Sequence, residues 1–105
     1  MAWVLLFVAG LLETVWAFTM KRSDGFTRPG MSIATAVAML ASIGLLSVSM
    51  RTLPLGTSYP VWTGIGAVGT FLVGVVVLGE SLNVTRVVAA ALIVAGLLLM
   101  KASST

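Results

Sequence analysis

The 105-residue chain contains neither cysteine nor histidine. Disulfides, thiolate nucleophiles and the usual transition-metal sites are thereby excluded, and no cofactor or metal is expected. Charge is scarce as well. Six basic and three acidic residues make up 9% of the chain, where a soluble domain carries about 25%. The net charge of +3 sits at the ends of apolar runs, which suits headgroup anchoring and does not suit nucleic-acid binding. What remains is 59% apolar. A water-soluble domain of this size cannot hide that much apolar surface, so lipid is the expected solvent. A single domain spanning residues 1–105 is the expected unit.

A bilayer core of about 30 Å needs about 20 helical residues. Four apolar stretches qualify, giving an all-α integral membrane protein with helices at about 2–20, 31–50, 58–79 and 84–100. No basic residue precedes the first run and equally long runs follow it, so it reads as a span and not as a secretory leader. Pro29 can open the second helix. Thr57 or Ser58 can cap the third, leaving Pro60 in its first turn, where a missing N–H costs nothing. Lys21, Arg22, Arg28 and Arg86 fall on one membrane face, and Arg51, Lys101 and the amino terminus on the other. That is a weak basis for the positive-inside rule, so copies are expected to insert both ways round.

Glu13 lies in the middle of the first span. An acid at such a depth costs roughly 2.5–3.5 kcal/mol on insertion scales and is an ion or proton site by default. The plain alternative is a protonated structural carboxyl bonded to a neighbouring helix. No basic residue lies inside any span to pair with it, so the counter-charge must be a proton or a cation that comes and goes. Gly10, Trp16 and Ala17 share its helix face. The small residues admit another backbone, while the Trp16 indole offers an N–H donor and a π face.

The third span offers Tyr59 and Trp62 at i+3, with Gly66 one turn further. They read as a ligand-lining stripe, against the alternative of an aromatic belt. "GIGAVG" at 64–69 matches a dinucleotide fingerprint, but that motif needs a preceding strand and a later acid, and here it lies inside an apolar span. Gly64, Gly66 and Gly69 instead permit close packing and a bend. Ser42, in the second span, can donate to Glu13 if it faces that way, or can bond its own helix. Ala91 with Ala95, and nearby Gly96, make the fourth helix a packing and dimer surface.

One chain with a single intramembrane acid is a poor container for a solute. Two copies double the lining helices and supply a second Glu13, and weak topological bias permits an antiparallel pair. The two carboxyls can hold protons or a cation, and the empty, doubly ionised site is costly. Only loaded states then switch sides, which gives proton-coupled antiport. No catalytic constellation is present, so an enzyme is not expected.

Taken together, "GLLETVWAF" (10–18), Lys21, "GFTR" (25–28), "LPLGTSYPVWTGIGAVG" (53–69), "GES" (79–81) and Lys101 resemble the small multidrug resistance family over the whole chain, and its guanidinium-exporter subtype most. The resemblance implies an antiparallel homodimer in the bacterial inner membrane that exports guanidinium in exchange for protons. It implies that Glu13 binds both ions, that Trp16, Ser42, Tyr59 and Trp62 line the site and bond within it, and that Gly64 and Gly66 form the bend of the third helix. Pro60 stands where many members have alanine, which puts the placing of Tyr59 in question. Guanidinium suits such a site, being flat, singly charged and rich in N–H donors for carboxylates and π faces. Two other readings compete: export of diverse quaternary ammonium ions by the same fold, and a membrane subunit that transports nothing.

Overall fold

The computed structural model describes residues 1–103 as four helices. These are α1 (Ala2–Arg22), α2 (Pro29–Ser49), α3 (Leu55–Val76) and α4 (Val84–Ser103). Each is long and apolar enough to cross a membrane. The all-helical, four-span expectation therefore holds, and the differences lie at the helix ends.

α1 ends in Lys21 and Arg22, where basic groups suit the helix dipole. The buried Ser23 organises the turn that follows. Its hydroxyl donates to the Met20 carbonyl at 2.7 Å and accepts from the Phe26 N–H at 3.0 Å. Its carbonyl accepts from the N–H groups of Thr27 and Arg28 at 2.9 and 3.1 Å. Between them Asp24, Gly25 and Phe26 take φ values of 52°, 72° and 67°. Only glycine adopts that region freely, so the serine bonds hold Phe26 in it. Pro29 then opens α2, as its fixed φ allows.

α3 starts at Leu55, three residues before the expected Ser58. Pro54 is the reason. It is extended (φ −67°, ψ 154°), and its carbonyl accepts from the N–H groups of Thr57 and Ser58 at 3.1 and 2.9 Å. Neither Thr57 nor Ser58 acts as the cap, and Pro60 falls beyond the first turn. There its missing N–H leaves the Gly56 carbonyl without its helical partner. Pro60→Ala should therefore raise the unfolding midpoint in detergent, in line with the roughly 3 kcal/mol by which proline disfavours a helix interior. No rise would mean that this turn draws no stability from a regular helix bond.

At its other end α3 stops at Val76, short of the expected Gly79. Gly79 takes φ 69°, and the Glu80 N–H folds back onto the Gly74 carbonyl at 2.9 Å. Asn83 then starts α4, its side-chain oxygen accepting from the Arg86 N–H at 2.9 Å. α4 continues past Met100 to Ser103.

α1 is the central helix, packed between α2 and α3, while α4 packs on α3. Leu6, Ala9, Leu46, Val61 and Trp62 form the buried cluster. Thr19 and Thr35 join α1 to α2 by a hydroxyl–hydroxyl bond of 2.7 Å. The subunit is a slab with extents of 43 × 34 × 17 Å. Among the described residues, α4 contributes none that is buried, and Leu40, Leu92 and Leu99 are mostly exposed. Such a surface calls for lipid or a second protein.

The basic residues divide between the ends as the span count requires. Lys21 and Arg86 line one cavity at one end of the slab. Lys101 lies at the other, its ammonium 5.1 Å from the Trp3 ring centroid.

Candidate functional site at the contact of α1 and α3

The contact between α1 and α3 is built from side chains of one helix against glycines of the other. Ile65 presses on Gly10, the Glu13 carboxylate lies on Gly66, and Thr14 lies on Gly69. A Cβ at Gly66 would stand 2.5 Å from Glu13 Cδ and 2.9 Å from its Cγ. Only glycine leaves room for the acid here. The spacing follows from the helices themselves, since residues 10, 13 and 14 share one face of α1 while 65, 66 and 69 share one face of α3.

The Glu13 side chain gains no hydrogen bond from this fit. Its Oε1 is buried with no partner among the described residues. The Trp16 Nε1, one turn along, is likewise buried and unpartnered. An acceptor and a donor thus stand ready in a dry place. A carboxylate in such surroundings accepts a proton or the N–H groups of a cation strongly, because water does not compete.

Ser42 is fully buried and does a different job in this conformation. Its hydroxyl donates to the Ala9 carbonyl at 2.7 Å and accepts from the Trp62 indole N–H at 3.0 Å. That chain ties α1, α2 and α3 together, and the hydroxyl hydrogen is committed to Ala9 instead of Glu13. Ser42→Ala leaves the indole N–H unpartnered, which should destabilise the subunit by about 1–3 kcal/mol. Thermal unfolding in detergent, followed by the near-ultraviolet tryptophan signal, measures it. An unchanged midpoint would remove the tie from the account.

Tyr59 is half exposed at the outer end of the stripe. Its ring stacks on Trp62 with centroids 5.6 Å apart and a tilt of 47°. The two prominent glycines of α3 turn out to serve different neighbours. Gly66 receives Glu13, while Gly64 receives Leu97 of α4, whose Cδ2 would be 2.6 Å from an added Cβ. α3 is continuous through both. Ala91, Ala95 and Gly96 are exposed on α4, away from the acid's contacts.

Two participants escaped the sequence. The Ala9 carbonyl is a backbone acceptor, to which no residue type points. Thr14 was overshadowed by its neighbour, although its position beside Glu13 and the small-residue pattern at Gly69 offered a signal.

Fold and site together define a small multi-pass membrane protein with a half-buried acid at a helix–helix contact. The profile described as Small Multidrug Resistance protein matches residues 1–93, and the chain belongs to that family. A protein of Proteus vulgaris named guanidinium exporter is 53% identical over 104 residues, covering 99% of this chain and 100% of the relative. Proteins of the same name from Citrobacter freundii and Salmonella typhimurium are also 53% identical over 104 residues, with 99% of both chains covered.

Proposed function

We propose that this chain is a proton-coupled antiporter that exports guanidinium across the bacterial inner membrane. The observation that carries the reading is the Glu13 carboxylate, seated on Gly66 with a buried oxygen that has no partner among the described residues. Glu13 binds protons and cargo in turn. In this reading Trp16, Ser42, Tyr59 and Trp62 line the site, Trp16 bringing the unpartnered N–H, Tyr59 and Trp62 ring faces, and Ser42 the bond that holds Trp62 in place, and Gly64 and Gly66 give α3 its close approach to its neighbours. The guanidinium-exporter names of relatives at 53% identity support the cargo. Those names are transporter names, and the chain is read as a carrier, not an enzyme.

The working unit in this reading is an antiparallel homodimer. A slab only 17 Å thin does not enclose a solute by itself, and α4 presents an exposed face that includes Ala91, Ala95 and Gly96. Small residues of this kind suit helix association in lipid.

Sealed vesicles carrying the purified protein test the function. An inward guanidinium gradient should drive protons outward, while a bulky quaternary ammonium ion should move few. Equal proton movement with both ions would favour the broad quaternary-ammonium reading. No movement with either would favour a subunit that transports nothing.

A further inference from the structure

A second place in the subunit gathers the chemistry that recognises guanidinium. A cavity of about 360 Å³ opens between α1 and α3. It begins at Thr14 and Ala67, next to Glu13 on α1 and to Gly66 on α3, and it ends at Glu80 and Arg86. Glu80 is fixed there twice. Its N–H bonds the Gly74 carbonyl, and its carboxylate rests on Gly74, where an added Cβ would stand 3.1 Å from Cδ. Phe71, on the same wall, carries the Arg86 guanidinium 5.1 Å from its ring centroid. Arg86 Nη1 also donates to the Ser81 carbonyl at 2.6 Å.

A carboxylate, a backbone carbonyl and an aromatic face are the three groups a planar N–H-rich cation calls for. The group lying on the ring and the carbonyl is itself a guanidinium, carried on the stem of Arg86. Arginine is fit for this because its head is planar and stacks, which an ammonium does not do.

We propose that this cavity is an outer subsite for guanidinium-class cations, formed by Glu80, the Ser81 carbonyl and Phe71, and that the Arg86 head holds it as a tethered stand-in which free cargo displaces. Lys21 also lines the cavity. Its charge opposes that of an arriving cation, so the subsite holds cargo briefly and passes it toward Ala17 and the acid beyond. The inference rests on guanidinium being the cargo class, but its test does not depend on transport.

The full chain carrying Glu13→Gln, in detergent, silences the inner acid. Adding Arg86→Ala should make the protein respond to millimolar guanidinium chloride with a saturable rise in Tm of a few degrees. Tetramethylammonium chloride at equal ionic strength should give none. Glu80→Gln in addition should abolish the rise. The same rise with Arg86 intact, a rise that survives Glu80→Gln, an equal rise with tetramethylammonium, or no rise at all would each overturn the proposal. If Arg86→Ala does not fold, Arg86→Gln, which keeps much of the stem, carries the same arms. Failure of guanidinium-driven proton movement in the unaltered protein would instead strike the function proposed above, with these outcomes unaffected.

Discussion

Glu13→Gln is expected to reduce guanidinium–proton exchange to the level of empty vesicles while leaving the four-helix subunit folded. Glutamine keeps the shape that fits against Gly66. It loses the charge that a cation needs and the group that accepts a proton. Leaving one side of a buried charge pair unmatched costs about 3–5 kcal/mol, or roughly two to four orders of magnitude in affinity. Stability should not fall, because no charge then has to be kept out of water. The two ions compete for one carboxylate in the unaltered protein, so guanidinium binding should weaken as the proton concentration rises. In the variant any residual binding should be indifferent to pH. Equilibrium binding across a pH series, beside thermal unfolding, separates these effects. A variant that still exchanges guanidinium for protons would remove Glu13 from the centre of the mechanism.

Gly66→Ala should be nearly as damaging to transport although it touches no charge. The new methyl would meet Glu13 at 2.5 Å from Cδ and 2.9 Å from Cγ. Either the carboxylate swings away or α1 and α3 part. Overpacking of this kind costs about 1–3 kcal/mol, and alanine's better helix propensity returns up to about 1 kcal/mol. The net loss of stability is modest. The loss of function is larger, since displacing a binding group by about 1 Å can cost on the order of 100-fold. Gly44→Ala is the control. Nothing in the subunit lies within 4 Å of a Cβ placed there, so it should be neutral or stabilise by about 0.4–1 kcal/mol. Exchange rates measured side by side decide the matter. Equal rates for the two variants would mean that the seat of Glu13 on Gly66 has no part in transport.

The four spans were legible because lipid imposes a length and a composition on each crossing. The ends of α3 were not. Capping by Thr57 or Ser58 looked sound from residue preference, but the Pro54 carbonyl offered acceptors one turn earlier. The far end gave way to Gly79, whose left-handed turn folds Glu80 back on Gly74. At the site, Glu13 and Gly66 were both singled out, yet spacing along each helix says nothing about which faces meet. Their contact is a tertiary fact. Ser42 was legible as a hydroxyl at depth and illegible in its bonding, since its acceptor is the backbone of Ala9.

The glycines of α3 have one more consequence. Glu13 and Thr14 rest on bare backbone at Gly66 and Gly69, and Ile65 rests on Gly10 in return. Each of these side chains fills the space that a facing Cβ would take, so the two helices approach as closely as side chain against backbone permits. A larger residue at any of the three glycines is therefore felt across the seam between α1 and α3, and in the case of Gly66 it is felt at the acid itself.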